Sequence, residues 1–343
     1  MGMGIVRVGL IGAGRIGQLH AANIVRHIRH AKLVAVADIK EEAAKKIALE
    51  YGIPKIRKDF RAVVEDPEVD AVLICTSTET HAEIIRAAAA AHKHIFCEKP
   101  LALDLKEIDE ILEIVQKNNV KLQVGFNRRF DPHFLAAKEV ILSGKLGRLN
   151  ILKITSRDPT PPSIDYIKVS GGIFLDMTIH DFDMARFLMG EEAVEIYATG
   201  AVLVDPQIGE AGDIDTAIVV LRFQSGALGV IDNSRRAVYG YDQRVEVFGE
   251  HGMVKVENPR LNQAVLLTKG GEQASTLPYF FIERYTESYI RELSVFIQTI
   301  LEGKDPPVTG WDGKMAVVMG YAAKRSLEEG RPVRLSEIMS TFC

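Results

Sequence analysis

The chain has 343 residues, 47% of them hydrophobic and 26% charged, with a formal net charge of −4. That length and apolar content suit a globular protein with a sizeable core and two domains, and the interspersed charge excludes the basic stripe of a nucleic-acid partner. Apolar stretches such as Ile84 to Ala91 stop well short of the ~20 residues a membrane span needs, and no signal-peptide pattern precedes the first strand-like run, so a cytoplasmic protein without a membrane partner is expected.

Taken in order, Val6 to Ile11 is a continuous apolar run typical of a strand buried on both faces. Ile16 to Ile28 reads as a helix and Leu33 to Ala37 as a strand, which together make a β-α-β unit. The alternation continues with a helix at Glu41 to Tyr51, a strand at Ala71 to Cys75 and an alanine-rich helix at Thr80 to Ala91. A strand at His94 to Cys97, a helix at Leu105 to Asn118 and a strand at Lys121 to Val124 follow. This pattern predicts a doubly wound parallel sheet, an α/β domain over residues 1–124. Beyond residue 125 strands follow one another: Leu149 to Arg157, Ala193 to Val204, Asp215 to Phe223, Leu228 to Ser234, Gln243 to Phe248, Met253 to Glu257 and Ala264 to Thr268. Glycine-containing turns separate several of them, as hairpins require. Residues 125–343 are therefore expected to form an α+β domain on a large, mainly antiparallel open sheet.

The stretch GLIGAGRIG places Gly12, Gly14 and Gly17 in a G-x-G-x-x-G pattern that ends the first strand and opens the first helix. Gly12 permits the tight turn, Gly14 lets backbone approach a pyrophosphate and Gly17 lets the helix pack on the sheet; the helix N-terminus meets phosphate charge. Arg15 and Ile16 lie inside the same loop. Asp38 follows roughly 20 residues later at the end of the second strand, where a carboxylate accepts hydrogen bonds from a ribose 2′-hydroxyl and repels a 2′-phosphate. NAD is thus the expected cofactor.

Ligands of a doubly wound sheet bind beyond the carboxyl ends of its strands, and Glu98 and Lys99 of HIFCEKPLA stand at such an end, followed by Pro100. In GGIFLDMTIHDFD, residues 171 to 183, Asp176 and His180 are spaced i, i+4 and share one face of a helix. A carboxylate beside an imidazole orients it and raises its basicity, which makes a general base. Asp183 competes for the same role, and a purely structural histidine is the plainer alternative. Cys75, Cys97 and Cys343 are too few and scattered for a disulfide framework or zinc site, and no metal is expected.

The motifs at 12 to 17, EKP at 98 to 100, GFNRRFDP at 125 to 132, GGIFLDMTIHDFD, and GWDGKMAVVMGYAAKRSLEEGRPV at 310 to 333 occur in this order over the whole chain. In this the sequence resembles the Gfo/Idh/MocA oxidoreductase family, and within it the bacterial inositol dehydrogenases. The resemblance implies an N-terminal Rossmann domain, a homotetramer assembled through the C-terminal sheet, and NAD-dependent oxidation of a secondary hydroxyl of a cyclic polyol, first of all myo-inositol to its 2-keto product. Other sugars, including scyllo-inositol and nucleotide-linked sugars, are the alternative substrates, and a non-catalytic nicotinamide sensor is the alternative from another class. Carried over residue by residue, Lys99 is implied as the catalytic lysine and Asp176 with His180 as the aspartate-histidine pair. Arg129, Asp158 and Tyr239 are implied as polyol contacts, with Tyr241 a rival for the last. Thr76, Ser77 and His81, in CTSTETH, are implied near the cofactor, although many relatives carry a proline after the threonine.

Overall fold

A computed structural model describes residues 4–341, so Cys343 lies outside the described residues. The chain divides into two units, Met1–Phe130 with Glu287–Met315, and Asp131–Thr286 with Ala316–Cys343. Against the single boundary expected after residue 124, the chain leaves the first unit at Phe130 and returns to it near residue 287.

In the first unit, strands β1 (Val6–Ile11), β2 (Ala31–Ala37), β3 (Lys55–Arg57), β4 (Ala71–Ile74), β5 (His94–Glu98) and β6 (Leu122–Gly125) form one sheet in the order β3-β2-β1-β4-β5-β6. Every neighbouring pair is parallel. This is the dinucleotide-binding order, whose switch point falls between β1 and β4. The strands are buried on both faces because helices cover both, which is why β4 reads as AVLI without a polar residue. Asp104 starts the helix Leu105–Lys117 by accepting from the Lys106 and Glu107 N–H groups. The helix Thr286–Glu302 supplies Leu293, Phe296 and Ile297 to a core cluster with Val6, Leu10, Ile24 and Phe96. The return of the chain is therefore part of this unit's core.

The second unit is built on a seven-stranded sheet. Its strands are β7 (Leu149–Arg157), β8 (Ala193–Ala201), β9 (Thr216–Phe223), β10 (Leu228–Ser234), β11 (Asp242–Gly249) and β12 (Gly252–Val256). After the separate hairpin of β13 (Val265–Thr268) and β14 (Gly271–Ala274), β15 (Val333–Arg334) joins its edge. The order is β12-β11-β7-β10-β9-β8-β15, antiparallel throughout except for the parallel pair β7 and β10. Burial alternates along β9, with Ala217, Val219, Leu221 and Phe223 inside and Ile218 and Val220 outside. Register carries the outer face across strands: Met253 pairs with Phe248, Phe248 with Ile151 and Ile151 with Leu228, and all four are exposed. Among the described residues no helix is long and apolar enough to cross a membrane.

Candidate active site

The glycine loop follows β1. Gly12 has φ +98, and a Cβ there would lie 2.6 Å from the Cys75 carbonyl group, so both the backbone angle and β4 demand glycine. A Cβ on Gly17 would stand 2.0 Å from the Gly12 oxygen. Gly14 differs. Nothing lies within 4 Å of its notional Cβ, and it is exposed as the N-cap of the helix Arg15–His27. The loop thus leaves open space at the helix N-terminus, the cradle a pyrophosphate requires. Asp38 Oδ2 accepts the Ala13 N–H at 2.7 Å and Oδ1 accepts the Lys40 N–H at 2.8 Å, which ties the end of β2 to the loop. These donors and this acceptor fit NAD. Arg15, exposed, and Ile16, half-buried, are the first two residues of the helix Arg15–His27.

Beyond β4, Thr76 is half-buried and Ser77 exposed; the Thr80 hydroxyl lies 2.7 Å from Thr76 Oγ1 and 2.9 Å from the Ser77 carbonyl oxygen. His81 turns inward. Its ring is 1% exposed, with Nδ1 2.8 Å from the Pro100 carbonyl oxygen and Nε2 3.1 Å from that of Thr76. Burial lowers its pKa below the ordinary histidine value, and a neutral ring donates to one of these carbonyls only. His81 supports the backbone around Lys99 rather than presenting its ring outward. Glu98 is held by His20, whose Nε2 lies 2.6 Å from Glu98 Oε1. Two buried histidines therefore flank the Glu98-Lys99-Pro100 segment, whose Lys99-Pro100 bond is cis. Arg129 donates to Asp312 Oδ1 at 2.9 Å, and Asp312 also accepts from the Thr309 N–H and hydroxyl.

In the second unit the segment carrying Asp176 and His180 is two short helices rather than one. Ile173–Asp176 ends, Met177 and Thr178 turn, and Ile179–Met189 begins. The Thr178 N–H reaches back five residues to the Ile173 carbonyl at 2.9 Å, a π-type bond that inserts one residue into the helical path. Gly171 and Gly172 enter the segment with φ +85 and +84; a Cβ on Gly172 would stand 3.0 Å from Asp213 Oδ1, which accepts the Ile173 N–H at 3.0 Å. Thr178 is pinned by donating to Asn233 Oδ1 at 2.6 Å, while Asn233 Nδ2 donates to Asp181 at 2.9 Å.

Asp176 accepts from Tyr166 Oη at 2.8 Å and from Arg235 Nη1 at 3.3 Å. Arg235, 1% exposed, also lies 3.5 Å from Asp213. Burial and the Asp176 charge push the Tyr166 hydroxyl well above its ordinary pKa, and the charge of Asp158 acts in the same direction. His180 is half-buried in the first turn of the second helix, whereas Asp183 is 1% exposed. In VYGYD, Tyr239 faces out, donating to Asp242 at 2.7 Å and accepting from Arg157 at 3.2 Å. Tyr241 faces in, edge-on to Tyr285 at 6.0 Å. Tyr166, Arg235 and Asp213 were invisible to sequence reasoning because each lies far along the chain from Asp176 or outside its helix and carries no motif.

Residues 6–126 match the oxidoreductase family, NAD-binding Rossmann fold, and residues 134–255 match the GFO/IDH/MocA C-terminal domain. The chain belongs to the Gfo/Idh/MocA oxidoreductase family. Within that family it is 55% identical to a myo-inositol 2-dehydrogenase of Thermotoga maritima over 97% of this chain and 100% of the relative. It is 49% identical to an inositol 2-dehydrogenase of Rhizobium meliloti, covering 96% and 99%. A solved scyllo-inositol dehydrogenase of Lactobacillus casei, with bound NAD(H) and scyllo-inositol, superposes with a TM-score of 0.91 at 29% identity over 97% of this chain and 99% of that one. The Gfo/Idh/MocA assignment agrees with the glycine loop and Asp38 at the end of β2.

Proposed function

We propose that the protein is an NAD-dependent dehydrogenase that oxidises the 2-hydroxyl of myo-inositol to the ketone. The observation that carries this reading is the full-length 55% identity to a myo-inositol 2-dehydrogenase, joined to an Asp38 and a glycine loop shaped for NAD. Bound NAD supplies the capacity to accept a hydride from the carbinol carbon. His180 takes the hydroxyl proton as general base. Asp176, itself oriented by Tyr166 and Arg235, favours the imidazolium that results. Lys99 stabilises the oxygen as negative charge develops on it. Asp158, whose charge acts on Tyr166, is a proposed polyol contact. Arg129 and Tyr239 are further proposed contacts, each with hydrogen bonds already committed, to Asp312 and to Asp242.

scyllo-Inositol, which differs at the reacting carbon, is the second reading, favoured by the 40% identity to a scyllo-inositol 2-dehydrogenase (NAD(+)) of Bacillus subtilis. The exposed apolar row Ile151, Leu228, Phe248 and Met253 supports assembly as a homotetramer through the second sheet. The free thiols of Cys75 and Cys97 support a cytoplasmic location. The test is reduction of NAD, followed by absorbance, against myo-inositol, scyllo-inositol, D-glucose and a nucleotide-linked sugar. myo-Inositol should give the highest kcat/KM. Turnover of the nucleotide-linked sugar with no cyclitol signal would refute the reading.

A further inference from the structure

Beneath the end of β5 lies a group of three titratable side chains to which the mechanism above assigns no step. His20, Glu98 and Glu292 each contribute a polar atom, and these atoms lie within 4.8 Å of one another. His20 and Glu292 are fully buried, whereas the Glu98 side chain is 16% exposed. His20 Nε2 and Glu98 Oε1 are 2.6 Å apart, but neither carboxyl oxygen of Glu292 meets a hydrogen-bond partner among the described residues. The lining is aromatic: the His20 ring stands edge-on to Phe96 at 5.3 Å and to Tyr289 at 5.9 Å. Gln123 Nε2 donates to the Glu292 backbone carbonyl at 2.9 Å, which fixes the helix at this point. The titratable groups facing Glu292 are His20 from the first helix, Glu98 from β5 and the half-buried thiol of Cys75, with Tyr289 of its own helix against the His20 ring.

Two carboxyl groups this close in an apolar surrounding do not both ionise, because the like charges repel and neither is solvated. Glu98 has the hydrogen bond to His20 and the residual exposure. Glu292 has neither, and burial followed by the Glu98 charge holds its carboxyl well above the ordinary range. We infer that Glu292 is a positioning residue for the reaction: it carries a proton shared with Glu98, directly or through one internal water, and with His20 it fixes the carboxylate one residue before Lys99. His81, bonded to Pro100, holds the other side of the same segment. The inference rests on the reading that Lys99 serves the reaction.

The test uses the full chain with E292Q and E292L. Infrared difference spectra at pH 7 should show the carbonyl stretch of a protonated carboxylic acid in the wild type that E292Q lacks. E292L, which keeps the volume and loses the donor, should lower kcat about ten-fold, the effect of roughly one hydrogen bond, with KM for NAD nearly unchanged. E292Q, neutral and still a donor, should rescue most of that loss. The folded state binds the extra proton, so the wild type should lose stability as pH rises from the unfolded carboxyl value through the raised folded one, and E292Q should not. Absence of the band, a pH dependence of stability equal in wild type and E292Q, or wild-type kcat in E292L would overturn the proposal. So would a stoichiometric metal ion bound by the wild type and lost from E292Q, since a cation would then do the work of the proton. If E292L fails to fold, the band and the stability profile of E292Q decide. Normal turnover by K99A would refute the reading of Lys99 while leaving the band in place, so the two failures are distinguishable.

Discussion

Tyr166 gives its phenolic hydrogen to one oxygen of Asp176, and the buried guanidinium of Arg235 reaches the other. The carboxylate that sequence spacing assigned to His180 alone therefore has two other donors, on which its charge is partly spent. Two substitutions should move the acid limb of the kcat/KM profile, where a histidine base loses its proton, in opposite directions. Asp176→Asn removes the charge that favours the imidazolium, so the limb should shift to lower pH with part of the activity retained. Tyr166→Phe removes a competing donor and leaves more of the charge for His180, so the limb should shift to higher pH. Shifts of the same sign in both variants would exclude Asp176 as the partner of His180.

The glycine loop allows folding and binding to be separated. Gly17→Ala would place a methyl 2.0 Å from a backbone oxygen that no side-chain motion can clear, and should destabilise the protein severely, by on the order of 3 kcal/mol or more. Gly14→Ala meets nothing within 4 Å and should change stability by about 1 kcal/mol or less, the scale of an altered N-cap. Its new methyl points into the space the cofactor's pyrophosphate needs, so KM for NAD should rise about ten-fold or more. Thermal melting and NAD titration of the two variants check this, and equal Tm losses would contradict it.

Asp38 has two tasks, because the carboxylate expected to meet the adenosine ribose also accepts the Ala13 N–H. Asp38→Ser should therefore lower kcat/KM for NAD by about ten-fold, the worth of a charge-assisted hydrogen bond. NADP should lose less or gain, since the repulsion of its 2′-phosphate is relieved. A wild-type preference for NADP would remove the basis of this prediction.

Much of the first unit was legible because its strands are covered on both faces and so read as unbroken apolar runs, with glycines where a Cβ would stand 2.0 to 2.6 Å from neighbouring backbone. The return of Thr286–Glu302 was not. An amphipathic helix announces that it has an apolar face, but Leu293 and Phe296 do not say which core they enter. The break at Met177 and Thr178 was hidden for a different reason: IFLDMTIHDFD has an uninterrupted helical pattern, and what bends it is Thr178 bonding Asn233, 55 residues away. The parallel pairing of β7 with β10 was equally silent, since alternation fixes the buried face of a strand but not the direction of its neighbour.

Lys99 and His180 have different roles, and their variants should differ in kind. Lys99 stands one residue past the end of β5, in a segment flanked by His20 and His81, so Lys99→Ala should leave the fold and the Tm near wild type. Loss of the group that stabilises the developing oxyanion should lower kcat by roughly 10² to 10³. His180→Ala should cost on the order of 10² to 10⁴ and should also abolish the acid limb, because the group that titrates there is gone. Steady-state profiles from pH 5 to 10 separate the two. Lys99→Ala must keep the limb that His180→Ala loses, and a limb unchanged in His180→Ala at near wild-type turnover would make the histidine structural. The base would then have to be sought elsewhere. Asp183 is a poor replacement, since at 1% exposure its carboxylate is too deep to receive a hydroxyl proton from substrate.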